Sequence, residues 1–600
     1  MIFLKKNSGS WRNGGRRIFD GVVNTREGRR PFTLLIKGYV LILGNEKDCL
    51  INMCFIATIA ERSGAYMSKV FNVTAVCIPE EHYMVNIDER LLEIKKLVDD
   101  GKYFTINRAR QYGKTTTLMA LEQFLQTSYY VVSMDFQTFD DAKFQNGNTF
   151  ALSFAGSFLR LLKRNRPTMS GELREALICL KRNVDDKSKD FTLKELFEHL
   201  SDICAASDKS IVLMIDEVDS ATNNQVFLDF LAQLRAYYIR RATEPTFRSV
   251  ILAGVYDIRN LKQKLRTEDD HKVNSPWNIA ADFDIEMSLS KIGIAGMLRE
   301  YEADHHTGMD IDEISGLLYD YTSGYPYLVS RLCKLMDEEV GRNCSLKNKG
   351  DAWTKQGFDE AVRIMLTEKN PLFESMIGKL TSYPQLNAML RSLLFTGKNI
   401  AYNPDNQAID NATMFGFIKN EHGVVSIANR IFETRLYNLY LSAAEMQRLD
   451  IYKASLQDKN QFLVDGHLNM RLVLERFVVH FNDLYGNSDA AFVEDEGRKY
   501  FLLYLRPIIN GTGNYYVESR TRELRRTDVI VDYNGEQFVI EMKLWHGNEY
   551  HRRGEQQLAR YLDDYHTNKG YMVSFNFNKK KQPGVREIIV DNKIIIEATV

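Results

Sequence analysis

The chain is poor in the residues that would tie it together covalently or hold it in a membrane. It has seven cysteines in 600 residues, none in a Cys-x-x-Cys pair or another metal-ligand spacing. That excludes a disulfide framework and points to a reducing compartment. No apolar run reaches the roughly 18 residues of a membrane span, so no membrane partner is expected. There is no internal repeat. Nor is either charge in excess: 78 Lys and Arg against 79 Asp and Glu leave the overall balance silent about partners. What remains, 44% hydrophobic and 26% charged, is a multidomain globular composition, with about four units expected from length.

Residues 1–66 stand apart. The first thirty are rich in Gly and Arg and show little periodicity. Arg with few acids is a feature of organelle transit peptides, but so much glycine makes a poor amphipathic helix. The expectation is a poorly structured extension upstream of a natural start at Met67.

The informative stretch is Tyr103 to Leu118, YFTINRARQYGKTTTL. Tyr103 to Ile106 have strand composition, a short polar loop follows, and Thr116 onward can run as a helix. A Gly-Lys followed by Ser or Thr turns up by chance in roughly a third of chains this long. Between a strand and a helix it meets the mechanical requirement of a phosphate-binding loop. Backbone N–H groups and the helix N-terminus hold phosphate, Lys114 neutralises charge, and the Thr115 hydroxyl can ligate magnesium. Arg110, Gly113 and Thr116 complete the nucleotide-contacting set. The usual first glycine is replaced by Arg108, which predicts a less permissive turn and makes ATP turnover less secure than the fold.

A second segment completes the reading. Ser210 to Asp219 is SIVLMIDEVD, five apolar residues and then Asp216-Glu217. A continuous apolar run suits a strand buried on both faces of a parallel sheet, and acids at its C-terminal end would face the phosphate site. Asp216 is expected in the magnesium shell and Glu217 as the residue that orients or deprotonates water. Tyr129–Phe136 and Ser249–Val255 supply two further strands, the arrangement of ATPases that use a catalytic glutamate. Tyr256, Asp257 and Arg259 are equal candidates to sense the γ-phosphate. Arg235, Arg240 and Arg241 are arginine-finger candidates by position alone, with a surface salt-bridge role the favoured reading for each. Gly324-Tyr325-Pro326-Tyr327 opens an apolar helix bearing Arg331, either a nucleotide sensor or a plain turn before a core helix.

The far end carries different chemistry. In TDVIVDYNGEQFVIEMKL, Asn534-Gly535 between alternating runs is a hairpin signal. Counting outward from that turn pairs Tyr533 with Glu536 and places Asp528 across from Glu541. Like charges facing on a sheet are destabilising, and a divalent cation between them reverses the sign. Lys543, two residues on, shares the face. Asp528, Glu541 and Lys543 therefore converge as in a metal-dependent phosphodiesterase, in which carboxylates hold magnesium and lysine polarises the nucleophile. Arg520, Arg522, Arg525, Arg526 and Lys579 to Lys581 flank the region and could neutralise nucleic-acid phosphates.

The D-x12-E-x-K spacing resembles the PD-(D/E)XK nuclease superfamily, and Gln557 with Tyr561 in QLARY resembles the Q-x-x-x-Y element of its RecB-like branch. The resemblance implies catalytic roles for Gln557 and Tyr561. It also implies a further metal carboxylate upstream at Glu496, with Glu494 competing. From Leu393 to Leu441 the text gives helix, helix, Gly-turned hairpin, helix, which resembles a winged helix. It is read as a rigid arm relaying nucleotide state in preference to a DNA-binding module.

Phe71 to about Phe577 as a whole resembles a bacterial family of AAA-like ATPases fused to a C-terminal PD-(D/E)XK nuclease domain. INRARQYGKTTTL, LMIDEVD, SPWNIA, SGYPYLVSRLC and the D…ExK…QLARY series carry the likeness, and Arg108 looks typical of the family. The resemblance implies an α/β fold: a P-loop ATPase parallel sheet over 67–289, a helical lid and winged-helix-like arm over 290–450, and a restriction-endonuclease-like α/β domain over 451–600. It implies ATP and Mg2+ as cofactors, with Mn2+ an alternative at the nuclease site. Nucleic acid is the expected partner, DNA ahead of RNA, in a cytoplasmic protein that can form a homo-oligomer and belongs to mobile-element or phage-defence biology. Two other readings stay open: a nucleotide-regulated binding switch, and a DNA-binding scaffold with an inert nuclease fold.

Overall fold

A computed structural model of the chain describes residues 4–6, 32–36, 39–43, 69–255, 277–342, 349–395, 400–458, 461–464, 466–485, 494–509, 513–520, 526–533, 535–545, 547–565, 567–576, 578 and 581–600. They fall into two compact units, Met1–Lys69 and Val70–Val600. In the first, β1 (Leu4–Lys6), β2 (Phe32–Ile36) and β3 (Tyr39–Leu43) form an antiparallel sheet in the order β1-β3-β2. The extension expected to be poor in structure thus carries a small sheet. FTLLI and YVLIL are the aliphatic, β-branched and aromatic runs that pair readily, and their Gly- and Arg-rich surroundings mask them in the sequence.

The second unit begins with a parallel sheet of β4 (Phe104–Asn107), β5 (Tyr130–Asp135), β6 (Ile211–Asp216) and β7 (Ser249–Gly254), ordered β4-β7-β6-β5. Every residue of β6 and β7 is buried. Period-2 alternation divides β6 between two cores. Val212 and Met214 pack with helices Asp88–Asp99 and Lys114–Leu125, while Ile211, Leu213 and Ile215 face the phenylalanine-rich layer of helices Gly147–Arg164 and Gln225–Ile239. A one-residue parallel bridge from Phe104 to Ala281 continues the sheet beyond β4. The phosphate strand and the acidic strand are therefore separated in space by β7, so their C-terminal ends open on one crevice.

Helices Lys291–His305, Ile311–Thr322, Pro326–Glu338 and Lys355–Thr367 follow, begun by the capping side chains Ser290, Asp310 and Thr354 or by Pro326 at the first helical position. Gly324, at φ +72°, links two of them. A Cβ there would lie 2.1 Å from the Leu289 carbonyl oxygen, so the turn admits only glycine. Helices Pro384–Phe395 and Gln407–Met414, the hairpin β8 (Ile418–Glu421) and β9 (Val424–Ile427), and helix Arg430–Leu441 come next. That is the helix, helix, hairpin, helix order expected from Leu393 onward.

After the short hairpin of β10 (Leu463–Val464) and β11 (His467–Leu468) and helices Met470–Tyr485 and Glu494–Ile509, a six-stranded mixed sheet closes the chain. Its strands are β12 (Gly513–Arg520), β13 (Arg526–Tyr533), β14 (Glu536–Leu544), β15 (Lys569–Phe575), β16 (Gly584–Val590) and β17 (Lys593–Thr599), ordered β12-β13-β14-β15-β17-β16. The pairs β14–β15 and β15–β17 are parallel and the others antiparallel. Helix Asn548–Asp564 crosses from β14 to β15 over one face. A single apolar cluster runs from Phe71 through Tyr325, Phe432 and Tyr437 to Val531 and Val600, so one core is shared across the boundaries expected at 289/290 and 450/451.

Candidate functional site

The loop Arg108–Gly113 joins β4 to helix Lys114–Leu125. Its left-handed residues are Gln111 (φ 58°) and Gly113 (φ 79°). Arg108 needs no such conformation, which is why a side chain is tolerated where the usual loop has glycine. The Arg108 guanidinium turns out of the loop, donating to the carbonyls of Asn107 (2.9 Å) and Ile285 (3.0 Å) and lying 5.5 Å over the Phe283 ring. Arg110 is exposed.

Lys114 is buried and its Nζ donates to the Arg108 and Ala109 carbonyls at 2.9 and 3.0 Å. Burial lowers its pKa, and the facing carboxylates of Glu217, Asp219 and Asp216 pull it back up. Thr115 Oγ1 donates to Asp216 Oδ2 at 2.8 Å, joining two groups 101 residues apart. Asp216 Oδ1 accepts the Glu217 amide (2.9 Å), and Glu217 itself turns left-handed (φ 51°) as the chain leaves β6. Burial raises the Glu217 carboxyl, the Asp216 charge adds to the rise, and Lys114 opposes it. The Thr116 hydroxyl accepts the Cys77 amide at 3.3 Å, tying the segment before helix Asp88–Asp99 to the loop helix. A hydroxyl and a carboxylate meeting above a buried lysine at a helix N-terminus fit a triphosphate with magnesium.

Two elements from later in the chain press on this loop. The Tyr325 hydroxyl donates to the Arg110 carbonyl, and its ring meets Tyr112 (4.7 Å) and Phe432 (5.4 Å) edge to face. Gly416 (φ +71°) lies so close that a Cβ there would be 2.9 Å from the Ala109 Cβ. Four residues before Tyr325, the Tyr321 hydroxyl donates to Asp532 Oδ2 on β13 at 2.9 Å. The turn 321–325 therefore touches both the phosphate loop and the C-terminal hairpin.

In that hairpin Tyr533 pairs with Glu536 and the register runs out to Val529 with Ile540, the count made from Asn534-Gly535. Glu541 is 1% exposed. Its Oε1 accepts Lys543 Nζ and Gln557 Nε2, each at 2.9 Å, and Gln557 Nε2 lies 2.5 Å from the Tyr561 hydroxyl. The β-strand period puts Glu541 and Lys543 on one face, and the four-residue helical step puts Gln557 and Tyr561 above them. The side chains of Asp528, Glu494 and Glu496, and those of Arg520, Arg522, Arg525 and Arg526, lie outside the described residues, as do Tyr256, Asp257, Arg259, Lys579 and Lys580.

Comparison with known proteins covers the region of the first of these sites. Residues 80–442 match the family of the AAA-like domain. The chain belongs to the AAA-like domain family. A cyanobacterial relative, an uncharacterized WD repeat-containing protein of Synechocystis, is 23% identical over 378 residues. That match takes in 60% of this chain and 29% of the relative, so the chain spans under a third of that protein's length. Among solved structures, a Walker-type ATPase of Pyrococcus abyssi is similar at 12% identity and TM-score 0.42, over 61% of this chain and 99% of that one. The ORC2 protein of Aeropyrum pernix is similar at 11% identity and TM-score 0.31, over 59% and 94%.

The AAA-like match takes in the parallel sheet with its Gly-Lys-Thr loop and reaches past it through the helices and hairpin up to residue 442. Within it, Arg331 is engaged by Glu368 and Glu339, and Arg240 and Arg241, just past the end of helix Gln225–Ile239, lie over its Tyr237 and Tyr238. Sequence reasoning passed over Asp219. Its Oδ2 accepts the Val255 amide at 2.7 Å where β7 ends, and a Cβ on Gly254 would sit 2.7 Å from its Oδ1. The third acid of IDEVD was the available signal. Tyr321 gave none, being one apolar position among several on its helix. Among the described residues no helix is long and apolar enough to cross a membrane.

Proposed function

We propose that the chain is an ATP-gated, metal-dependent nuclease, in which residues 67–289 bind ATP, 290–450 are the lid and winged-helix arm, and 451–600 cleave nucleic acid. The observation that carries the reading is the Glu541 cluster. A carboxylate is sequestered in a core at 1% exposure with a lysine and a glutamine on one oxygen, an arrangement costly for stability alone. It sits on a helix, three antiparallel strands, helix, strand unit, the order of a restriction-endonuclease-like core. Bound magnesium or manganese would supply a Lewis acid at the scissile phosphate. Asp528 and Glu541 would hold it, with Glu496 as a third carboxylate. Lys543 would position the attacking water, and Gln557 and Tyr561 would hold Glu541 and Lys543 in place.

In the ATPase site, Lys114, Thr115, Thr116, Gly113 and Arg110 would hold the nucleotide, Asp216 the magnesium shell, and Glu217 the water. Gating finds support in the turn 321–325, which bonds to Arg110 at one end and to Asp532 at the other. DNA is the favoured substrate, and mobile-element or phage-defence biology the setting that the family resemblance implies.

The test is cleavage of a panel of single- and double-stranded DNA and RNA with magnesium or manganese, with and without ATP. Loss of cleavage in Asp528→Ala, and an ATP effect that disappears in Lys114→Ala, is the expected result. No cleavage under any condition, with ATP binding intact, would leave the nucleotide-regulated binding switch. One observation favours that switch: Lys114 must leave two loop carbonyls to reach phosphate.

A further inference from the structure

Two strands from Glu541, the same face of the C-terminal sheet carries a polar cluster that the proposed cleavage chemistry does not use. Glu541 pairs with Met572, and Met572 with Glu597. At about 4.8 Å per strand, the Glu541 and Glu597 backbones stand roughly 10 Å apart. Glu597 is 1% exposed, and above it on helix Asn548–Asp564 lie His551 and Glu555, one helical step apart. His551 Nε2 is 2.6 Å from Glu597 Oε1 and 3.5 Å from Glu555 Oε1, and the three donor atoms lie within 4.8 Å of one another. His551 is itself only 6% exposed.

Two details separate this cluster from an ordinary ion pair. His551 Nε2 is buried and faces two carboxylate oxygens at once, Glu597 Oε1 at 2.6 Å and Glu555 Oε1 at 3.5 Å. An imidazole nitrogen and two carboxylate oxygens gathered so closely in a buried site are disposed as ligands of one cation. The second detail is the division of labour on Glu597. Arg586 Nε donates to Oε2 at 2.6 Å from the outer side, leaving Oε1 turned toward His551 with the Ser574 hydroxyl 3.3 Å from it. A ligating carboxylate oriented by an outer hydrogen bond is the usual build of a metal site.

We propose that His551, Glu555 and Glu597 bind a divalent transition-metal ion, zinc foremost, which pins the first turns of helix Asn548–Asp564 to β17. One imidazole with two carboxylates suits zinc or manganese, whereas magnesium and calcium favour all-oxygen shells. The near-complete burial of His551 and Glu597 marks the site as structural. The pinned helix is the one that presents Gln557 and Tyr561 to Glu541, so the ion fixes that helix whether or not the neighbouring cluster cleaves anything.

The full chain, purified without a polyhistidine tag and reconstituted with zinc, is dialysed and assayed for metal by elemental analysis. About one zinc per chain is expected, as for a structural site. It should be lost in His551→Ala, partly restored in His551→Cys, and kept in Asp528→Ala, which separates this site from the cleavage site. A chelator should lower the melting temperature of the wild type by about 5 °C or more, reversed by zinc and not by magnesium. This second readout stands even where His551→Ala fails to fold. Folded wild type that retains no zinc and ignores the chelator would show an ion pair only, and zinc content unchanged in a folded His551→Ala would equally overturn the assignment.

Discussion

Glu217 shows how much one residue's backbone contributes to its chemistry. The fully buried β6 must end where its carboxylates reach the crevice, and the left-handed turn at Glu217 (φ 51°) ends it there. A non-glycine residue in that conformation is strained by about 1 kcal/mol; the strain separates the directions of Asp216 and Glu217, sending one carboxylate to Thr115 and leaving the other half-buried. Glu217→Gln keeps the shape and removes the carboxylate. It is expected to lower ATP turnover by about 100-fold or more with nucleotide affinity retained, measured by phosphate release alongside equilibrium binding. Turnover within a few-fold of wild type would take the water-activating role away from Glu217.

At the scale of elements, the contact between helices Ile311–Thr322 and Lys355–Thr367 and strand β13 carries an unusual electrostatic load. Asp532 accepts from Tyr321 and from Gln537, and Asp359 lies close enough to feel its charge. Burial raises both carboxyls, and the Asp532 charge lifts Asp359 further, to about 8, while Lys355 pulls both back. A carboxyl whose pKa is higher folded than unfolded stabilises the fold while protonated. That contribution is complete below the ordinary aspartate pKa and disappears as pH rises through the folded value. Wild type should therefore lose stability relative to Asp359→Asn between about pH 4 and pH 8, ending on the order of 1–3 kcal/mol behind the variant. Urea denaturation at a series of pH values measures this difference. The variant comparison is needed because Glu286 and Glu302, held below their ordinary range by hydrogen bonds despite burial, push stability the other way. Parallel curves for the two proteins would rule the pair out as a pH-sensitive joint.

For the whole molecule, the shared core is the feature with the widest consequence. Tyr437 of helix Arg430–Leu441 packs edge to face on Tyr515 of β12 at 6.1 Å, and Tyr325 joins the same cluster beside the phosphate loop. A ligand of the AAA-like domain should therefore stabilise the C-terminal sheet as well. At 100 times its Kd, ATP should add about 2.7 kcal/mol by mass action. Amide exchange should slow in β14 along with β6, and neither effect should survive Lys114→Ala. Protection confined to β4–β7 would mean that the shared core does not couple the two sheets.

Features that depend on neighbours along the chain are legible in the order of the residues. A strand, polar loop, Gly-Lys-Thr and helix can be read from sixteen consecutive residues, because backbone geometry fixes how each hands on to the next. The unbroken apolar run of β6 announced burial on both faces, and a two-residue turn set the pairing of β13 with β14, since side-chain alternation leaves one register for a given loop. Which distant groups meet is settled by packing in three dimensions. Thr115 reaches Asp216 across 101 residues and Tyr321 reaches Asp532 across 211. Gly416 lies against Ala109, and His551 sits over Glu597. No local pattern encodes these meetings. They follow from how helices and sheets pack their apolar faces, and packing is satisfied by the molecule as a whole.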